Sequence, residues 1–271
     1  MAKITENERI KFHKITSPYR EAAATILKKE KDSRPELSQH TPKSACKHLE
    51  MADTMLNLTS NYLVISGISQ SVQNVKNEDA LNEARKAIFK SIIYLEEIVS
   101  NYVDSPFSDY EDRINLIESV NPARRYFLVR KLGLSVQLLK DAYGDNSKWK
   151  WAFVDLEGRA AAVTKNMVNL RTVMVNSDPR SPHYEPVILH LRLTRKLLMQ
   201  AADRYREKYE LSTNRIDDFR KGINFLSALI RLNMVTDAQL DAASVKKKLD
   251  IWNNKLNADI IKADMRVSGK R

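Results

Sequence analysis

The sequence predicts an all-α protein, an elongated bundle of about seven to nine mostly long antiparallel helices, as one bundle or two sub-bundles. Three observations predict it. Apolar residues recur at three- and four-residue spacing through most of the chain, the period of one helix face. No segment keeps the two-residue alternation of a half-buried strand. The 271 residues hold only six glycines and eight prolines, too few for the frequent turns of a sandwich or barrel.

The first 43 residues read as a polar arm with one short helix. Ser17 can cap that helix and Pro18 can occupy its first position, where a missing N–H costs nothing. The stretch "KEKDSRPELSQHTPK" that follows is polar and reads as a mobile linker. Tryptic cleavage is expected there first, at Lys31, Arg34 or Lys43.

Residues 44–175 read as a first bundle. Met51, Met55, Leu58, Tyr62, Ile65, Ser69 and Val72 form one stripe, and Leu49, Ala52, Leu56 and Leu63 widen it. A helix apolar on two flanks belongs in the middle of a bundle. Gly67 within it is expected to permit a close helix crossing. Leu81, Ala84, Ile88, Ser91, Leu95, Ile98 and Tyr102 form the next stripe. A short helix follows near Tyr110, Ile114 and Ile117. Asn121-Pro122 opens a helix with Leu128, Leu132, Ser135 and Leu139 on one face.

The most regular stripe is Trp149, Phe153, Leu156, Ala160, Val163, Met167, Leu170 and Met174. It reads as one continuous buried spine with left-handed, coiled-coil-like packing. Leu170→Ala is then expected to cost about 2–5 kcal/mol. Gly158 on this helix reads as a point of close helix approach.

Residues 176–262 read as a second helical part packed on the first. Tyr184, Val187, Leu191, Thr194, Leu198, Ala201 and Tyr205 form a stripe, as do Ile216, Phe219, Ile223, Leu226 and Ile230. Thr236 and Gln239 have the spacing of a capping box. Ala242, Val245, Leu249, Trp252, Leu256 and Ile260 form the last stripe. Residues 263–271 read as a frayed basic tail.

Chemistry-bearing motifs are missing. No H-E-x-x-H, C-x-x-C or Glu-x-x-His spacing occurs, and Cys46 and His48 fall on different sides of a helix. No phosphate-cradling glycine loop and no G-x-S-x-G elbow occurs. Adjacent acids such as Asp217 and Asp218 cannot face one substrate, and Asp155 with Arg159 reads as a helical ion pair. No catalytic residue, metal site, cofactor or small-molecule substrate is therefore expected, and the chain reads as non-enzymatic. One cysteine excludes an internal disulfide and suits a reducing compartment. With no apolar leader and no apolar run long enough to span a bilayer, the expected location is cytoplasmic.

Formal net charge is +11, which favours acidic partners or nucleic acid. On the helix after Pro186, Arg192, Arg195, Lys196 and Arg206 share a sector about 130° from the apolar stripe, diluted by Asp203. These four are the candidate docking surface. Arg124 and Lys131 share another face, and Lys246 to Lys248 form a charge run. Trp149, Phe153 and Trp252 lie in apolar stripes, so they are not free to stack on bases. The expected function is a structural or adaptor scaffold acting through protein contacts or self-assembly. A nucleic-acid-associated protein using the basic faces is the alternative, and a helical enzyme with a scattered site the weaker one.

Overall fold

The computed structural model describes residues 4–37, 41–145 and 147–268. Among these the chain is all-α, with ten α-helices and no strand. The helices pack against one another as a bundle does. The helix count exceeds the expected seven to nine chiefly because the 149–174 stripe does not form one helix.

Two compact units form. Residues 1–100 and 110–150 make the first, and residues 101–109 and 151–271 the second. The division between them falls near residue 150, since the helix after Trp151 packs with later helices of the second unit. The regular stripe is cut by this division: Trp149 belongs to the first unit and Phe153 to the second.

In the first unit, α1 (Glu6–Ser33), α2 (Pro42–Gln73), α3 (Glu78–Glu96) and α5 (Pro122–Tyr143) carry the core, with the short α4 (Glu111–Asn115) between α3 and α5. The expected short helix in the arm is in fact 28 residues long. It starts at a capping box, in which the Thr5 hydroxyl accepts from the Glu8 amide and the Glu8 carboxylate accepts from the Thr5 amide. Pro18 lies inside α1 and not at its start. It is tolerated on the exposed side, where water can satisfy the carbonyl its ring leaves without an N–H. The expected linker is helical to Ser33 and continues as a 3-10 turn, Arg34–Leu37. The rest of it, 38–40, lies outside the described residues.

Helix α2 is central, as its two apolar flanks require: α1, α3 and α5 all pack on it. Phe12 of α1 meets Ile65 and Ala80, and Ala23 meets Met55, Leu58 and Ala87. Thus α1 runs antiparallel to α2 and parallel to α3. Its buried end is polar. Glu30, 3 % exposed, accepts from Tyr94 Oη at 2.7 Å, Lys90 Nζ at 3.1 Å and Arg34 Nη2 at 3.0 Å. Burial alone would raise its carboxyl, but these donors outweigh burial and hold it below its ordinary value. On α5, Asn121 caps the Ala123 amide at 2.8 Å, with Pro122 next, as read from the sequence.

The second unit holds α6 (Ala152–Asn166), α7 (Leu170–Val175), α8 (Tyr184–Lys208), α9 (Ile216–Val235) and α10 (Gln239–Ser268). Helices α8, α9 and α10 run up, down and up: Arg195 reaches Asn233 and Thr236, and Lys248 reaches Asp203. Helix α6 packs antiparallel on α8, with Asp155 near Tyr205 and Thr164 near His190. Tyr209 stacks on Phe219, with centroids 5.0 Å apart, and Trp252 packs tilted against Phe219 at 5.5 Å. Val154, Leu198, Leu226 and Val245 join the same core.

Three expectations fail here for physical reasons. The stripe breaks at Met167–Asn169 because the Asn169 side chain caps the Thr172 amide at 3.2 Å and restarts the helix. Met167 is buried, yet Leu170 is only partly buried and Met174 is 75 % exposed. Thr236 does not open α10. It closes α9, donating to the Leu232 carbonyl at 2.8 Å while accepting from Arg195 at 2.7 Å. The tail is helical to Ser268 and not frayed from 263, and residues 269–271 lie outside the described residues. No helix among the described residues is long and apolar enough to cross a membrane.

Candidate docking surfaces

The four cations chosen on α8 have different fates. Arg195 is partly buried and spends its guanidinium inside the unit, on Asn233 Oδ1 at 2.9 Å and Thr236 Oγ1 at 2.7 Å. Arg206 pairs with Glu210 at 3.0 Å and lies 5.3 Å over the Trp252 ring. Arg192 and Lys196 are exposed and make no ion pair among the described residues. Asp203, which dilutes the sector, is held by Lys248 at 2.6 Å. The helix thus brings all four to one side, but two of them serve the fold.

Other charged groups in this unit also serve it. Asp155 accepts from Tyr205 Oη at 3.0 Å and Lys208 Nζ at 2.8 Å, with Lys221 at 3.4 Å. These donors hold its carboxyl below its ordinary value despite the opposing effect of burial. Burial and the nearby Asp155 push the Tyr205 hydroxyl up. Lys208 also meets Asp218 at 3.4 Å. Members of this cluster satisfy one another, which ties α6, α8 and α9 together. Among the described residues no three His, Cys, Asp or Glu side chains converge as metal ligands do. His48 is buried and bonds the Ser44 carbonyl through Nδ1 at 2.9 Å.

A different surface stands out on α5. Its inner face, with Leu128, Val129, Leu132, Val136 and Leu139, is buried. Its outer face carries Phe127, Leu134 and Leu138, which are 57, 57 and 47 % exposed. Offsets of seven and four place the three within one narrow stripe. Arg124 and Arg130 flank it, exposed and without an ion pair among the described residues.

Helix α2 completes this face. Lys131 Nζ reaches Asp53 Oδ1 at 2.6 Å and Asn57 Oδ1 at 2.7 Å. Lys76, beyond the end of α2, donates to the Tyr143 carbonyl at 2.7 Å. The two helices therefore run parallel. Val64, 39 % exposed, lies seven residues past Asn57 on the same line of α2, as Leu138 lies seven past Lys131 on α5. At the other end the surface sinks into a depression of about 180 Å³. Leu49, Val120, Phe127 and Leu128 line it, with Asp53, Arg124, Arg125 and Lys131. Burial pushes the Arg125 guanidinium below its ordinary value, opposed by the Glu118 carboxylate; an arginine remains charged even so.

Only part of this surface is legible in the sequence. Arg124 and Lys131 were recognised as sharing a face. The outward apolar line was missed because Leu128, Leu132 and Leu139 already accounted for a buried side. Phe127, Leu134 and Leu138 on the opposite side were the available signal, the same two-flank pattern that marks α2 as central. On α5 the second flank meets no helix.

No curated protein and no solved structure matches the chain. A family model matches residues 8–260, taking in both units, and on that match the chain belongs to the TP0443 family.

Proposed function

We propose that this chain is a non-enzymatic adaptor or scaffold of the cytoplasm that works through protein–protein contacts in a larger assembly. One observation carries the reading: the outer face of α5 exposes Phe127, Leu134 and Leu138 in a single line. Single exposed apolar residues are ordinary on any surface, whereas an aligned set with a polar rim marks an interaction site. The tightly packed helices beneath offer a rigid support, which lowers the ordering cost of association. The basic-face alternative rests on less, since Arg195 and Arg206 are engaged within their own unit.

The test is a photo-crosslinking amino acid placed at position 134 or 138 in the native cell, with position 11 on the exposed side of α1 as control. Discrete protein adducts at 134 and 138, resistant to nuclease and missing at 11, are expected. Adducts removed by nuclease would favour the nucleic-acid alternative, and none at all would overturn the adaptor reading at this face.

A further inference from the structure

We infer that the occupant of the α2–α5 face is an amphipathic helix of a partner protein whose apolar anchors are flanked by carboxylates. This rests on the adaptor reading and adds the chemistry of the partner. Along one strip the face offers a depression lined by Leu49, Val120, Phe127 and Leu128, then the exposed Leu134, Leu138 and Val64. A helix laid along such a strip presents a side chain to it every three or four residues, which is how apolar grooves hold helices.

The charges select among helices. Arg124, Arg125, Arg130 and Lys131 lie on or beside the strip. Of the acids there, Asp53 is held by Lys131 at 2.6 Å, Asp141 accepts from Gln137 at 2.7 Å, and Glu118 acts on Arg125. Arg124 and Arg130 have no carboxylate among the described residues. A partner with glutamates or aspartates beside its anchors would supply one to each, as charge-assisted bonds at the rim.

Two other occupants fit less well. A second copy of this chain brings the same cationic excess and a formal net charge of +11 to the contact. An anionic bilayer would draw in the arginines, but it would also meet Asp53 and Asp141 and would leave a concave depression unfilled.

The probe is a designed amphipathic peptide of about 18 residues, or five turns, with leucines at i, i+4, i+7 and i+11 and glutamates on both flanks. Its control carries lysines in place of the glutamates. Binding to the full chain is read by fluorescence anisotropy of labelled peptide. The acidic peptide should bind with a Kd on the order of 10–100 µM and weaken as salt rises. The basic control should bind at least tenfold more weakly. Leu134→Asp should abolish binding with helicity unchanged by circular dichroism. The R124E/R130E double variant, whose changes lie on exposed surface, should reverse the preference and take the basic peptide. That swap cannot come from misfolding.

Equal binding of both peptides, or none at about 1 mM, overturns the inference. So does capture by phosphatidylserine vesicles lost in the same variants while peptide binding is absent. Concentration-dependent dimerisation abolished by Leu134→Asp would assign the face to a second copy instead. Crosslinked protein adducts at 134 that persist when the peptides fail would leave the adaptor reading standing and remove only this account of the partner.

Discussion

Gly158 faces the ring of Tyr205 so closely that a Cβ there would lie 2.7 Å from Cε2 and 2.8 Å from the hydroxyl. The ring cannot retreat easily, because it is 4 % exposed and its hydroxyl is held by Asp155. Gly158→Ala should therefore destabilise by about 1–3 kcal/mol, the cost of overpacking a core, read as a lower urea midpoint. Gly67 is the contrast. It was expected to allow a close crossing, but an added Cβ meets nothing within 4 Å. Gly67→Ala should stabilise by about 0.4–1 kcal/mol through helix propensity and unfolded-chain entropy, read as a higher urea midpoint. Both glycines looked alike in sequence, because helical spacing shows which side a residue takes and not how near the neighbouring helix comes. Lys165 was invisible for a related reason. One of its partners is a backbone carbonyl, Ser105 O at 2.6 Å, supplied from 60 residues away. Burial, with Arg231 nearby, lowers its pKa from 10.5 to about 8, against the pull of Asp104 and Asp109. Between those values the unfolded chain holds more protons than the folded one, so stability rises with pH there. Wild type should gain about 3 kcal/mol relative to Lys165→Met between pH 8 and pH 10.5. Parallel pH curves for the two proteins would show that Lys165 is solvated.

The stripe from Trp149 to Met174 shows how an element can be correct in period and wrong in extent. Every member keeps three-four spacing, and the stretch from Phe153 to Met167 is buried as that spacing implies. Past Met167 the period continues in sequence but not in space. The first helix ends at Asn166, and Asn169 offers its side chain to the Thr172 amide and starts another. Nearby, Asn166 donates to the Tyr102 carbonyl at 3.1 Å, a bond between residues 64 positions apart. Hydrophobic periodicity carries no record of such polar side chains competing for the backbone. The same limit hid the Thr236 arrangement, where a long-range donor, Arg195, takes the hydroxyl that a local capping box would use. A mutation series separates the two halves of the stripe. Met167→Ala should cost about 2–5 kcal/mol, as a fully buried large-to-small change does. Leu170→Ala, at a partly buried site, should cost about half that, and Met174→Ala about nothing. Asn169→Ala should cost about 0.5–2 kcal/mol through loss of the cap. Equal losses at 167, 170 and 174 in urea titrations would restore the continuous spine.

The chain enters the second unit twice, first with residues 101–109 and again from Trp151 onward. All-α character, the central place of α2 and the order of the long helices were legible from period and caps. This discontinuity was not, because Tyr102 continues the stripe of the preceding helix in sequence while residues 103–109 have neither a stripe nor a motif, and single long-range bonds hold the segment on the second unit. Ser105 and Tyr102 give their carbonyls to Lys165 and Asn166, and Asp104 pairs with Arg231. The segment therefore acts as a strap on α6 and α9, accepting from the buried Lys165 and Asn166 and pairing with the more exposed Arg231. Leaving such a donor or acceptor unpaired costs about 1–3 kcal/mol each. Replacing residues 101–109 by a glycine-serine stretch of equal length should thus lower the stability of α6, α8 and α9. Helices α2 and α3, whose core is built from α1 and α5, should keep theirs. Native-state hydrogen exchange resolves the two responses, since core amides report the opening free energy of the unit that contains them. Faster exchange confined to α6, α8 and α9 is the expected result. Equal acceleration in α2 and α3 would mean that the two units open as one, and acceleration in neither would mean that the strap's bonds contribute nothing to the fold.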